Sequence, residues 1–185
     1  MELKKYQEET LRDLAQYIDV LNESNSLSVA YSRYWEQRGV SVSGIDNDYL
    51  RPYINSVNNV PRVTLKVPTA GGKTFIACNA IKTIMDNLQT GVMNKVVAWF
   101  VPSDTILKQT LEKLQDVEHS YRQRLDALFN HRVIVVDKES ALVGQGISPT
   151  NMHENLIIFV LSAQSFVETI RAKKDKTSEQ AKPRV

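Results

Sequence analysis

The sequence is poor in cysteine, in clustered metal ligands and in long apolar runs, and each shortage excludes a class of protein. Cys78 is the only cysteine among 185 residues, so no disulfide framework is possible and the composition fits a reducing compartment. We expect it to be a small buried apolar residue. His119, His131 and His153 do not cluster at ligand spacing, which predicts no zinc site. Neither a signal-peptide core nor an apolar run of membrane-spanning length occurs, so we expect a cytoplasmic protein.

Charge of one sign is not in excess either. The 23 Lys and Arg residues against 21 Asp and Glu give a formal net charge of +2, which by itself does not indicate a nucleic-acid partner. Any surface for nucleic acid must therefore be local. The length suits one domain with a sizeable core.

The most informative stretch is Val67-Pro68-Thr69-Ala70-Gly71-Gly72-Lys73-Thr74, here called the phosphate loop. It lies between an apolar run, Val63–Val67, and a helical pattern that ends near Gly91, and such a strand-to-helix switch suits a polyphosphate. Two adjacent glycines let the backbone curl, so that successive N–H groups and the helix N-terminus face phosphate oxygens. The alternative is a glycine-rich turn before an unrelated helix.

Lys73 and Thr74 complete this interpretation. The ammonium of Lys73 would neutralise the outer phosphates, and the hydroxyl of Thr74 would ligate magnesium. Thr69 and Ala70 are the remaining loop residues that we expect to contact the nucleotide.

Short apolar runs alternating with helical patterns predict an α/β fold with a parallel sheet. Four strands are expected, the second of them buried on both faces: Val63–Val67, Lys95–Val101, Val133–Val136 and Leu156–Leu161. Helices are expected over Leu3–Leu21, Leu27–Gln37, Phe75–Leu88, from Pro102 to about Phe129, and over Gln164–Arg171, whereas Asp137–Asn155 is expected to be a loop. Tyr31, Tyr34 and Trp35 are expected to pack against a core, although a base-stacking platform is the alternative.

The phosphate loop resembles motif I of superfamily two helicases and translocases, which keep Thr-x-x-Gly-Lys-Thr and often replace the first glycine of the wider phosphate-binding pattern. Val67 stands at that first position, and Ala70 stands where the family most often has glycine. The resemblance implies a P-loop NTPase of the RecA-like type, with a parallel sheet flanked by helices. It also implies ATP and Mg²⁺ as cofactors and Lys73 as a catalytic residue.

Three further segments resemble motifs of the same helicases. Lys5-Tyr6-Gln7 is similar to the glutamine motif, which implies that Gln7 reads the adenine edge; a solvated glutamine is the alternative. Pro102-Ser103-Asp104 with the following helix resembles motif Ia, which implies phosphate contacts of nucleic acid with Ser103 and Lys108. Leu161-Ser162-Ala163 resembles a strand-to-helix junction of related motors, which implies another phosphate contact through the hydroxyl of Ser162. Capping of a helix is the alternative for both serines.

An Asp-Glu pair after an apolar strand, which this family uses for magnesium and water, does not occur in the sequence. Asp137 follows the strand Val133–Val136, but Lys138 comes next, so we interpret Asp137 as a strand terminus. We therefore expect the pair and the second motor lobe beyond Val185, and expect the present chain to bind ATP weakly and hydrolyse it slowly or not at all. The residues 171–185 should form a mobile charged tail.

Within the superfamily, residues 62–170 look most like the restriction subunit of type III restriction enzymes. This resemblance implies a motor on double-stranded DNA, a distant nuclease domain and a modification or specificity subunit as partner. We accordingly predict a helical segment and insertion over 1–61, a partial ATP-binding lobe over 62–170 and the tail. A helicase of another branch acting on RNA or DNA, a P-loop kinase, and a nucleotide-binding module without catalysis are the alternatives.

Overall fold

The chain divides into two compact units, Met1–Gly91 and Val92–Val185. The computed structural model describes residues 2–42, 50–89, 94–144 and 147–164. No helix in these ranges is both long enough and apolar enough to cross a membrane. The domain boundaries predicted at 61/62 and 170/171 stay predictions, and the second of them lies outside the described residues.

The first unit is helical in the part that the structure describes. Its helices are α1 (Lys5–Asn22), α2 (Leu27–Glu36) and α3 (Lys73–Asn87). The apolar positions of α1 recur at helical spacing and pack on α3, which confirms the amphipathic N-terminal helix. The shared cluster contains Leu11, Leu14, Ile18, Ile76 and Ala80. This packing brings the start of α1 close to the start of α3, where the phosphate loop ends.

Helix α2 begins at a serine cap, because Ser26 Oγ accepts a hydrogen bond from Val29 N at 3.3 Å. Ala30 of this helix is fully buried. The ring of Tyr34 meets the ring of Tyr17 of α1 edge to face, with 5.3 Å between the centroids. The contact of Tyr34 with Tyr17 agrees with the expectation that the aromatic residues of this segment pack against a core.

The predicted strand Val63–Val67 is not a strand in the structure. Its residues have no regular secondary structure, and 43% of Val63 and 36% of Leu65 are exposed. A strand needs a neighbour to receive its ladder of hydrogen bonds. The described residues of the first unit include no strand that could be this neighbour, so the apolar run alone does not establish one.

The second unit is built on a parallel sheet. Along the chain it contains β1 (Lys95–Val101), α4 (Asp104–Gln115), α5 (Ser120–Leu128), β2 (Val133–Val136), α6 (Lys138–Leu142), α7 (Pro149–Glu154) and β3 (Leu156–Ser162). The strand order is β1-β3-β2, with Lys95 and Val133 both in register with Leu156. A parallel sheet with helical connections confirms the predicted α/β class, with three strands described rather than four.

Burial along the sheet follows strand position. In the central strand β3, Ile157 and Ile158 are fully buried, and so are Leu114 of α4 and Leu125 of α5. Strand β1 lies at one edge of the described sheet, and 57% of Phe100 is exposed. The prediction that β1 is buried on both faces is therefore wrong for this structure, because an apolar run does not reveal whether its strand is central or marginal.

Two predicted boundaries were also wrong. The helix expected from Pro102 to Phe129 breaks between α4 and α5, where Asp116 Oδ1 accepts from Glu118 N at 2.9 Å and His119 Nδ1 accepts from Tyr121 N at 3.2 Å. Such local side-chain bonds compete with the helix. The segment Asp137–Asn155 contains the short helices α6 and α7 instead of only a loop. The predicted helix Gln164–Arg171 after its first residue, and the tail 171–185, lie outside the described residues.

Candidate nucleotide-binding site

The phosphate loop turns directly into α3, as predicted. Gly72 is the N-cap of this helix with φ 69°, and helical hydrogen bonding begins with Ile76 N donating to Gly72 O at 2.9 Å. The N–H groups of a first helical turn have no intrahelical acceptor, and Gly72 carries no side chain that could cap them. They are therefore suited to an anion such as a phosphate.

Both glycines are required by close packing. A Cβ on Gly71 would lie 2.7 Å from Val67 Cγ1 and 2.9 Å from Pro68 O, and a Cβ on Gly72 would lie 2.7 Å from Gln7 Nε2. A Cβ on Gly71 would therefore clash with the backbone, and a Cβ on Gly72 would displace the Gln7 amide. The glycines thus allow the compact turn that the sequence predicted.

Ala70 shares the left-handed conformation, with φ 61°. Glycine takes this conformation without steric cost, whereas alanine does not. This explains why glycine is the common residue at this place in the resembled motif, and it shows that alanine still allows the turn.

Gln7 and Tyr6 hold the loop from the start of α1. Gln7 Nε2 donates to Gly71 O at 3.1 Å, and Tyr6 Oη donates to the same oxygen at 2.7 Å. Gln7 Oε1 accepts from Lys4 N at 2.9 Å, and the glutamine side chain is buried with 3% exposure. A solvated glutamine is therefore excluded, and the role of Gln7 as adenine reader stays a prediction. The sequence did not single out Tyr6, although it precedes Gln7 directly.

Lys73 and Thr74 lie in the first turn of α3. The ammonium of Lys73 is exposed and donates to Pro68 O at 2.8 Å, across the loop. A charged donor held over the loop backbone is suited to phosphate oxygens. Thr74 is half-buried and Thr69 is exposed. The loop therefore fits a triphosphate, with Thr74 as the hydroxyl that would ligate Mg²⁺; both roles stay predictions.

No group of three or more acidic, histidine or cysteine side chains forms a metal site in the described ranges. Asp137 follows β2 and caps α6, since its Oδ1 accepts from Ser140 N at 2.7 Å. Hydrogen bonds from the side chain of Ser140 and from its backbone amide lower the pKa of Asp137 below its ordinary value. Its carboxylate is thus engaged in capping, in agreement with the interpretation of Asp137 as a strand terminus.

The candidate nucleic-acid contacts lie in the second unit. Ser103 and Ser162 occupy the carboxyl ends of the neighbouring parallel strands β1 and β3, where Val101 is in register with Ser162. Ser103 Oγ accepts from Ile106 N at 3.4 Å and so caps α4, while Ser162 is 1% exposed. Lys108 is exposed on α4. The structure brings the two serines to one sheet edge, and the phosphate-binding roles of all three residues stay predictions.

The family model described as "Type III restriction enzyme, res subunit" matches residues 1–183. The chain belongs to this family. The match confirms the predicted resemblance and the P-loop NTPase fold, and it makes the protein a helicase-like, ATP-binding motor domain of the type III restriction enzyme family. Searches of curated proteins and of solved structures found no match.

Proposed function

We propose that the chain is the ATP-binding, N-terminal part of a translocase motor on double-stranded DNA, in the restriction subunit of a type III restriction enzyme. The observation that carries this proposal is the phosphate loop. Its two glycines pack too closely for side chains, its helix begins at Lys73, and it is hydrogen-bonded to Gln7. Family membership supports the motor class and implies interaction with DNA.

In this proposal each loop residue has a separate task. The first-turn N–H groups of α3 and the backbone of Thr69 to Gly72 bind phosphate oxygens. Lys73 exchanges the Pro68 carbonyl for phosphate oxygens and stabilises the charge that develops during phosphoryl transfer. Thr74 would hold Mg²⁺, which would neutralise phosphate charge when ATP is bound.

Gln7 connects the base to the loop. The amide of a glutamine offers both a donor and an acceptor, which matches the adenine edge. In the structure this amide is bonded to Gly71 and Lys4, so reading adenine requires that one of these bonds be exchanged. Binding of the base and the conformation of the loop are then coupled through one side chain.

The DNA backbone is proposed to run along the carboxyl edge of the sheet in the second unit. Ser103, Lys108 and the backbone near Ser162 would contact phosphates there without reading sequence. A duplex carries a phosphate pair at each step, so such contacts position the DNA and make binding dependent on salt.

The decisive experiment is a titration of the chain with Mg²⁺ and ATP, compared with Lys73→Ala. Loss of a charged hydrogen bond to the phosphates should weaken ATP binding roughly 10- to 150-fold. Lys82→Ala is the matched control, because Lys82 is another lysine of α3, half-buried, and pairs with Asp86 instead of crossing the loop. Equal ATP affinity of the parent and Lys73→Ala would contradict the proposed site.

A second arm concerns DNA. Duplex DNA should bind to the parent chain with an affinity that falls as the salt concentration rises. Lys108→Gln should make this affinity less dependent on salt. Tight ATP binding without any affinity for DNA would instead favour a nucleotide-binding module outside the translocases.

A further inference from the structure

A groove with a volume of about 560 Å³ lies in the first unit. None of the phosphate-loop residues, Val67–Thr74, lines it. It is lined by one face of α1, by α2 and by the segment 51–66. Five aromatic side chains contribute to its wall: Tyr17, Tyr31, Tyr34, Trp35 and Tyr53. We call it the aromatic groove. Its volume falls in the range of about 300–1,000 Å³ that is typical of small-molecule sites.

The rings of this groove form a connected cluster. Tyr31 lies between Trp35 and Tyr53, with centroid separations of 6.3 Å and 5.7 Å. Tyr34 contacts Trp35 at 5.3 Å and Tyr17 at the same separation. Tyr31, Tyr34, Trp35 and Tyr53 are all half-buried. Packing against the core, as predicted from the sequence, is thus only one role of these aromatic residues, because they also present ring surface to the groove.

The charges of the aromatic groove are predominantly positive. Arg51, Arg62 and Lys66 line it, are exposed, and take part in no ion pair within the described ranges. The one acidic side chain of the wall, Asp13, already pairs with Arg38 at 3.3 Å. Three cations beside aromatic rings, without an acidic partner in the part of the chain that the structure describes, favour a ligand that carries phosphate.

The hydroxyl of Tyr17 is a second, independent indication of a ligand. Tyr17 is 6% exposed, and its Oη has no hydrogen-bond partner among the residues that the structure describes. Burial, with smaller effects from Tyr53 and Tyr31, raises the pKa of Tyr17, so the hydroxyl stays protonated and able to donate. A buried hydroxyl without a partner is destabilising. Because this oxygen is itself buried, a ligand with a polar edge would satisfy it only after a small shift of the groove wall.

We propose that the aromatic groove binds a segment of single-stranded nucleic acid, with unpaired bases stacked on its rings and successive phosphates on Arg51, Arg62 and Lys66. Unpaired strands expose base faces for stacking on aromatic side chains, whereas a duplex keeps these faces covered. The hydroxyl of Tyr17 would bond to a polar edge of a base or sugar. This goes beyond the proposed motor function, since it needs neither ATP nor the phosphate loop.

The test uses the fluorescence of Trp35 in a Trp99→Phe background, so that the signal arises from the groove alone. A deoxythymidine 12-mer, added without nucleotide, should quench this fluorescence. Tyr53→Leu removes one ring and should weaken binding roughly 5- to 150-fold. Phe100→Leu, an exposed aromatic of β1 outside the groove, is the matched control and should bind like its parent.

The cations are tested by the dependence of affinity on salt. Arg51→Gln should lower the slope of log K against log salt by about 0.7, the value for one phosphate contact on a single strand. Arg33→Gln, an exposed arginine of α2 outside the groove, should leave the slope unchanged. Tyr17→Phe, which keeps the ring, should weaken binding roughly 2- to 12-fold. Because Tyr17→Phe is a small change, it still tests the groove if the larger substitutions cause misfolding.

The results of these titrations decide the proposal and separate the possible ligands. Weaker binding in Tyr53→Leu and Arg51→Gln, with normal binding in their controls, supports the proposal, and a uridine 12-mer distinguishes RNA from DNA as the source of the strand. Absence of quenching, or equal effects in variants and controls, would overturn it. Equal affinity for a duplex would also overturn it. Quenching by ATP alone in Lys73→Ala would overturn it as well, because the groove would then be a mononucleotide site.

If Lys73→Ala loses ATP binding but still binds the 12-mer, the groove and the phosphate loop bind their ligands independently.

Discussion

Replacing Gly72 by alanine tests the loop geometry most directly. With φ 69°, an alanine at this position adopts the left-handed conformation, which costs about 1–2 kcal/mol. Its Cβ would also lie 2.7 Å from Gln7 Nε2. The amide can move only by breaking its buried bond to Gly71 O, and this loss costs about 1–3 kcal/mol. We expect Gly72→Ala to lower the free energy of unfolding by about 2–5 kcal/mol, from the sum of the two effects.

A second glycine of the same unit is the matched control. Gly39 has φ 73°, and a Cβ there would meet nothing within 4 Å. Gly39→Ala should therefore cost only the free energy of placing alanine in the left-handed conformation. The effect of the substitution on the unfolded chain is the same in both variants. The difference between the two substitutions isolates the contact with Gln7 and should be about 1–3 kcal/mol.

The assay is urea unfolding followed by far-ultraviolet circular dichroism, with ATP titration on the same samples. In a Gln7→Ala background the extra cost of Gly72→Ala should disappear, because the atom it displaces is gone. Equal destabilisation by Gly39→Ala and Gly72→Ala would refute the reasoning, since the packing of Gln7 on the loop would then contribute nothing measurable.

Three further predictions concern single side chains. Cys78 is fully buried, and burial raises the pKa of its thiol to about 12, so it should react with a thiol reagent at neutral pH only after unfolding; rapid labelling of the folded chain would contradict its core position. Asp137→Ala should destabilise by roughly 1 kcal/mol at neutral pH through loss of the cap on Ser140. Because the folded pKa of Asp137 is lowered from 3.8, this contribution is present above that pH and is lost as the pH falls through the folded value; a difference between parent and variant that does not shrink in acid would refute it. Tyr6→Phe should destabilise the chain by about 0.5–1.5 kcal/mol, since it removes one of the two side-chain bonds to Gly71 O; thermal unfolding measures the loss, and an unchanged melting temperature would contradict it.

Local patterns predicted those features that depend on neighbouring residues. Helices α1 and α3 follow from apolar spacing, and the start of α3 at Lys73 follows from the two glycines before it. Strand β3 follows from a short run of apolar residues between polar segments. Asp137 as a strand terminus also followed from its neighbours alone.

Features that depend on distant residues were not predicted. The run Val63–Val67 has the composition of a strand, but strand structure requires a partner, and composition does not supply one. The break between α4 and α5 is local instead, but it depends on side chains that bond the nearby backbone, and apolar spacing does not reveal such bonds. Likewise, the exposure of β1 depends on its place at the edge of the described sheet.

The amino-acid sequence by itself determined the phosphate loop, the α/β class and the family, because each of these is written in short-range order: glycines before Lys73, and apolar runs of characteristic length. Only the tertiary structure decided what surrounds the loop and where a second ligand fits. Gln7 meets Gly71 across 64 positions of sequence, and the five rings of the aromatic groove come from three separate segments. Such contacts arise when helices pack, since burial of their apolar faces selects which distant side chains become neighbours.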